Sequence, residues 1–271
     1  LADEMEDQIG LLDSRFSTAM EGEAMTHLAV IIARAGSKGL PGKALRKLDG
    51  KPLVAWSIEH ALGSGSVDDV VLTSDGQDIL DVGRGFSIKT YDRPASRSTD
   101  LSTIDDAVRH GVECWEAEHS KQVDHVAILY GNVALRPRDL TDRAMTRLAE
   151  SGCDSVQTVY PVGKMHPLWM RKLGGPSGDE LVNYQPNEIY RRQDLPPVYM
   201  LNSGVLAVKR THLFAVDPAH PHAFLGEDRR AIVTGDLDVI DVDDEFDLAF
   251  AETVLRMRRQ QQIGAGQTHA A

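Results

Sequence analysis

Two stretches of this chain carry residue types suited to phosphate chemistry. The first is residues 28–45, LAVIIARAGSKGLPGKAL, where an aliphatic run breaks into a loop holding Gly36, Gly39 and Gly42 with Arg34, Ser37, Lys38 and Lys43. Glycines let a backbone turn tightly and bring its N–H groups close to an anion. Arginine and lysine then offset phosphate charge through charge-assisted hydrogen bonds. The second stretch is residues 238–252, DVIDVDDEFDLAFAE. Alternate residues of an extended segment point the same way, so Asp241 and Asp243 can aim two carboxylates at one Mg²⁺, a hard cation that prefers oxygen ligands. Each stretch also has a plainer reading. The loop fits a surface turn beside a strand, and Asp244 and Glu245 fit an acidic helix start. Spacing alone leaves both readings open. It does exclude the common ATPase loop, which ends in GK followed by Ser or Thr, and the GxGxxG dinucleotide fingerprint.

The elements that must position these residues follow from hydrophobic pattern. Residues 28–33 read as a buried strand, 53–62 as a helix with Pro52 at its start, and 67–73 as a second strand. A weaker strand covers 87–91, a helix 103–118, a central strand 125–130 and a helix about 140–150. Strands alternating with helices predict an α/β fold, a three-layer, mostly parallel sheet with helices on both faces. Residues 155–160 and 204–208 read as further strands, 238–242 as the last, and 245–259 as a terminal helix. Between about 161 and 200 the chain is rich in glycine, proline, arginine and aromatics, which suggests a projecting arm. Residues 1–27 and 260–271 read as flexible tails around one domain, 28–259.

Bulk properties narrow the function classes. The 271 residues carry a formal charge of −12, which argues against nucleic acid as a partner. The two cysteines, Cys114 and Cys153, lack pair spacing, which argues against a disulfide framework or a cysteine-based zinc site. No apolar run is long enough to span a membrane and no signal peptide is apparent, so a cytoplasmic location is expected.

The stretch IIARAGSKGLPGKALRKLDGKPL closely resembles the opening of the acylneuraminate cytidylyltransferases. That family joins CMP from CTP to a nine-carbon acidic sugar such as sialic acid, and related members use an eight-carbon sugar or bacterial relatives of sialic acid. The resemblance runs from about residue 28 to 255, strong at the loop and patchy between motifs. It implies a nucleotide-diphospho-sugar transferase-like fold with a small dimerisation and substrate arm. It implies that Arg34, Lys38 and Lys43 neutralise the triphosphate of the CTP co-substrate and that Asp241 and Asp243 hold Mg²⁺. Ala33, Gly36, Ser37, Arg93, Tyr130 and Asn132 are implied at the nucleotide. Arg93 comes from YDRPASRSTDLST, which is similar to the family's RPxxLAxD segment and ends that motif at Asp100. TSDG, with Asp75, matches a strand-end segment of the family, although capping of the next turn is the commoner role for such an aspartate.

On the sugar side, MHPLWMRKL and YRRQDLPP are similar to the family's HP and RQxLP segments. They imply Lys164, His166, Arg192, Gln193 and Asn202 as substrate-binding residues, with a plainer reading for His166 as a packed, hydrogen-bonded residue of the arm. The family arm also implies a homodimer, with a tetramer as a further possibility. Four positions depart from the family: Ala44 for asparagine, Tyr130 for the glutamine that helps read the base, Met200 for a basic residue, and Ser203 for the glycine of an NG motif. A tyrosine cannot reproduce the paired donor and acceptor of an amide.

The implied reaction is attack by the anomeric hydroxyl of the sugar on the α-phosphate of CTP with loss of pyrophosphate. The general base is not identified from sequence. The departures keep two alternatives open: transfer to a modified bacterial sugar with a different base or sugar preference, and a non-catalytic nucleotide-sugar-binding protein.

Overall fold

The computed structural model describes residues 25–37, 39–99 and 101–268, with side chains through 261. Lys38, Asp100 and most of the two expected tails, residues 1–24 and 269–271, lie outside the described residues. The central sheet has seven strands: β1 (His27–Ile32), β2 (Asp69–Ser74), β3 (Lys89–Asp92), β4 (His125–Tyr130), β5 (Ser155–Pro161), β6 (Tyr199–Lys209) and β7 (Arg229–Val233). Their spatial order is β7-β5-β6-β4-β1-β2-β3. β6 runs antiparallel to both its neighbours, β4 and β5, and every other pair is parallel. This is the mostly parallel three-layer arrangement expected from the alternation of strands and helices.

Period-two alternation assigns each strand residue to a layer. Ala29 and Ile31 of β1 face a cluster shared with Ala127 and Leu129 of β4, while Leu28 and Val30 face the opposite cluster with Val126 and Ile128. The first face is covered by α1 (Leu53–Leu62), α2 (Gln77–Gly85) and α4 (Leu140–Ser151), the second by α3 (Ile104–His119). Thr103 caps α3 by accepting from the Asp106 N–H, and Asp105 and Asp106 complement the helix N-terminus.

A third apolar cluster joins α1 to the C-terminal helix α5 (Glu245–Thr268). Val54, Ile58 and Ala61 of α1 point to the sheet, whereas Leu53 and Trp56 point to Leu248, Ala251 and Val254 of α5. The same cluster holds Leu40 of the glycine-rich loop and Val242 of the acidic segment, both buried. Burying such a side chain contributes about 1.5–3 kcal/mol, which is enough to pin each segment.

Four local differences from the sequence reading have physical causes. α2 is absent from that reading because Gly83 and Gly85 weaken its helical signal. Gly83 is there for contact: a Cβ would stand 2.7 Å from Thr90 and 2.9 Å from Leu72. β7 carries no clear strand signal in the sequence because Arg229–Val233 is a short edge strand with a polar start. The acidic strand expected over 238–242 shrinks to Ile240–Asp241, paired with Val133–Leu135 rather than with the main sheet. The terminal helix continues past Arg259 to Thr268, since no proline interrupts it, although Gly264 and Gly266 lower its propensity.

The arm is built from two short strands, Arg171–Gly174 and Glu180–Asn183, paired antiparallel, with single 3₁₀ turns around them. It has no long helix, as its composition predicts. Among the described residues no helix is long and apolar enough to cross a membrane.

Candidate active site

β1 and β4 are neighbours, but the chain leaves β1 toward β2 on one side and reaches β4 only later on the other. That reversal opens a crevice at the carboxyl ends of the two strands, the usual ligand position in an α/β sheet. A cavity of about 530 Å³ occupies it. Its lining includes Ala33, Arg34, Ser37, Lys43, Arg93, Tyr130, Asn132 and Asp243, eight residues that the sequence singled out.

The glycine-rich loop forms the cationic rim. Gly42 adopts a left-handed φ of 65° and starts the 3₁₀ turn Lys43–Leu45 that presents Lys43. Gly39 packs against the acidic segment so closely that a Cβ would lie 2.7 Å from the Asp243 carbonyl oxygen. Gly36 is exposed and away from the cavity wall, with open space where a Cβ would stand. Across the site, Lys43 Nζ donates to Asp243 Oδ1 at 2.7 Å, and Asn132 Nδ2 donates to the same oxygen at 3.2 Å. Asn132 also donates to the Val242 carbonyl and accepts from the Val242 N–H, which ties the end of β4 to the acidic segment.

Arg93 lines the cavity, yet it is built into the wall. Its guanidinium donates to the Ala33 carbonyl at 2.9 Å, the Thr73 carbonyl at 3.2 Å and Ser98 Oγ at 3.0 Å. Burial lowers its pKa, the nearby Asp75 acts in the opposite sense, and Arg34 adds a further lowering. Asp75 accepts from the Ala35 N–H at 2.9 Å, so TSDG fixes the root of the loop. Tyr130 is half-buried at the cavity, and burial raises the pKa of its phenol.

Asp241 and Asp243 take different neighbours. Asp243 faces the cavity, whereas Asp241 Oδ2 accepts from Ser203 Oγ at 3.1 Å and lies outside the lining. Arg136 feels the charge of Asp241 and donates to the Gly204 and Tyr130 carbonyls and to Ser57 Oγ. Burial lowers its pKa to about 9, which leaves it charged at neutral pH, and Asp241 opposes the shift.

The five expected sugar-side residues do not line this cavity. Lys164, Arg192 and Gln193 are exposed on turns of the arm. His166 is buried within the arm: its Nδ1 accepts from the Leu168 N–H at 3.1 Å, which leaves Nε2–H to donate to the Pro196 carbonyl at 3.0 Å. Asn202 holds the bulge in β6, accepting from Thr158 Oγ1 and the Gly204 N–H while pairing with Thr234 Oγ1.

Opposite the loop, Ser98, Thr99, Ser102 and Thr103 line the cavity with hydroxyls, and Ile104 and Ala107 add an apolar floor. These positions went unnamed in the sequence reading. Their signal is the hydroxyl-rich run SRSTDLST immediately before a helix, which doubles as an ordinary capping sequence.

A cationic rim, a carboxylate and a hydroxyl wall around one crevice are groups whose chemistry suits a phosphorylated ligand. The cytidylyltransferase family model matches residues 28–198. CMP-N,N'-diacetyllegionaminic acid synthase of Legionella pneumophila is 30% identical over 243 residues, covering 87% of this chain and 99% of that protein. Pseudaminic acid cytidylyltransferase of Campylobacter jejuni is 34% identical over 128 residues, 47% of this chain. The chain spans about half of that relative, 55% of its length. The fold is shared with the solved structure of CMP:2-keto-3-deoxy-manno-octonic acid synthetase complexed with CTP, at a TM-score of 0.63 and 17% identity over 86% of this chain and 99% of that one. With the match to the family model covering more than half of its length, the chain belongs to the cytidylyltransferase family.

Proposed function

We propose that this protein transfers CMP from CTP to an acylneuraminate or related ulosonic acid and releases pyrophosphate. The observation that carries the reading is the crevice at the ends of β1 and β4, where Arg34, Lys43 and Asp243 meet on a family framework for cytidylyl transfer. The acceptor hydroxyl oxygen bonds to the α-phosphorus, the bond from that phosphorus to the oxygen bridging to the β-phosphate breaks, pyrophosphate departs with the bond's electron pair, and the hydroxyl proton passes to solvent. Arg34 and Lys43, with Lys38, neutralise the triphosphate. Ala33 and Ser37 border it, Tyr130 and Asn132 border the nucleoside, and Arg93 keeps the wall in place, whereas Gly36 lies off the cavity and serves the turn of the loop.

Asp241 and Asp243 offer the hard oxygen donors that suit Mg²⁺. Among the described residues no third His, Cys, Asp or Glu joins them to complete a protein cage. That composition suits Mg²⁺, which is commonly held by one or two carboxylates together with substrate phosphates and waters. Once bound, the ion supplies charge stabilisation for phosphoryl transfer. We assign the acidic sugar of a neighbouring subunit to the exposed arm groups Lys164, Arg192 and Gln193. Exposed Leu173, Leu181 and Tyr190 on the arm support a homodimer.

One observation favours a second reading of specificity. Tyr130 stands at the cavity where the family glutamine reads the base, so base or sugar preference can differ while the transfer chemistry is kept. The test is incubation of the purified protein with Mg²⁺, one nucleoside triphosphate at a time and a panel of eight- and nine-carbon acidic sugars, reading pyrophosphate and product mass. A CTP-dependent nucleotide sugar supports the proposal. Turnover only with another triphosphate supports the second reading, and no turnover by folded, Mg²⁺-replete protein rejects both.

A further inference from the structure

A second cavity, of about 880 Å³, lies between α1, the segment that follows β4, and α5. Lys51, Arg136, Arg138, Arg258 and Arg259 line it against a single carboxylate, Glu59. The whole chain has a formal charge of −12, so this basin runs counter to the protein that surrounds it. No residue lines both this basin and the crevice described above.

Internal pairing accounts for only part of the positive charge. Lys51 pairs with Glu59 and lies 4.3 Å over the Trp56 ring, and Arg259 pairs with Asp49. Arg136 turns its guanidinium inward, to Gly204, Ser57 and Tyr130. Arg258 donates to the Leu237 and Asp238 carbonyls, which orients it without cancelling its charge. Arg138 is exposed and makes no side-chain hydrogen bond or ion pair among the described residues. The basin thus holds two cations, Arg138 and Arg258, with no carboxylate assigned to them. Arginine is the side chain best shaped to hold a phosphate, by two parallel hydrogen bonds.

We propose that this basin is a second anion site, which takes the phosphate group of a small molecule on Arg138 and Arg258. The site stands independently of the reaction catalysed at the crevice. A cavity of this size admits more than a bare ion. Free phosphate and a sugar-borne phosphate share the recognised chemistry, and the experiment separates them.

Trp56 lines the basin and reports its occupancy. The full chain is titrated at constant ionic strength with inorganic phosphate and, separately, with ribose 5-phosphate, following tryptophan emission. We expect a saturable change that disappears in Trp56→Phe. Its midpoint rises about tenfold in Arg138→Glu, which replaces an attraction by a repulsion, and stays unchanged in Lys43→Ala, which removes a cation of the other cavity. A lower midpoint for ribose 5-phosphate identifies a sugar phosphate as the occupant, and equal midpoints identify free phosphate. A change that fails to saturate, or that follows Lys43 rather than Arg138, overturns the proposal. A thermal melt checks the fold of Arg138→Glu. Should that variant melt early, Arg138→Gln gives the same test, with the midpoint still expected to rise.

Discussion

Lys43 Nζ lies 2.7 Å from Asp243 Oδ1, joining the glycine-rich loop to the acidic segment across 200 positions of sequence. The Lys43 side chain is 20% exposed and that of Asp243 68% exposed. An ion pair so open to solvent contributes only about 0–1 kcal/mol to stability. Lys43→Ala is therefore expected to melt within a few degrees of the parent (about 1 kcal/mol or less). Its rate of CTP-dependent pyrophosphate release is expected to fall about 100-fold or more, as when a charge-stabilising donor is removed from a transition state. Stopped release assays beside a thermal melt check both. A large loss of stability with little loss of rate makes the pair structural.

Arg93 gives the opposite signature. It is 5% exposed and its three side-chain hydrogen bonds close the Ala33 and Thr73 carbonyls and Ser98. Arg93→Ala takes the arginine donor from the Ala33 carbonyl, at about 1–3 kcal/mol, while the Thr73 carbonyl keeps the Ala33 N–H at 3.2 Å. Urea unfolding is expected to show a loss of about 1–3 kcal/mol. A midpoint equal to that of the parent contradicts the wall role.

Ser203 occupies the position at which the resembled family has glycine, and its hydroxyl donates to Asp241 Oδ2 at 3.1 Å. Ser203→Gly frees that carboxylate to rotate. The expected result is a several-fold rise in the Mg²⁺ concentration for half-maximal rate, about 3–10-fold for one hydrogen bond of about 1 kcal/mol, with kcat at saturating Mg²⁺ little changed. A Mg²⁺ titration that superimposes on the parent removes Ser203 from this role.

His60 makes stability depend on pH. Burial first, and the nearby Arg136 second, lower its pKa to about 4, while Asp142 opposes them. Its Nε2 meets Thr141 Oγ1 at 2.9 Å. The folded state favours the neutral ring, so the unfolded state takes up the proton first. The contribution of His60 is complete above the unfolded value of about 6.5 and is lost as pH falls from there toward 4. Across that window it amounts to on the order of 3 kcal/mol. His125 and His110 shift in the same direction, also chiefly through burial, and steepen the same limb. His60→Gln is expected to flatten the pH dependence of urea midpoints between 6.5 and 4. An unchanged slope assigns the limb to other groups.

Apolar patterning along the chain is enough to read the layers of the fold. Helix residues 53–62 and strand residues 125–130 are legible to the residue, the helix from Pro52 at its start and Gly63 at its end, the strand as a short continuous apolar run between polar residues and Gly131. The residue types of Arg34, Lys43 and Asp243 are compatible with phosphate chemistry, and their spacing equally fits a surface turn and an acidic helix start. Which of the named groups share a space follows from packing between distant segments. Leu40 and Val242 sink into one apolar cluster, and that burial, a contact between distant parts of the chain, carries Lys43 to Asp243. Local alternation put Asp241 and Asp243 on one side, but the break in pairing between Ile240 and Asp241 gave them separate partners, Ser203 and Lys43. Tertiary packing likewise made Arg93 a wall residue and turned His166 inward within the arm, since hydrogen bonds to remote carbonyls leave no pattern in the sequence.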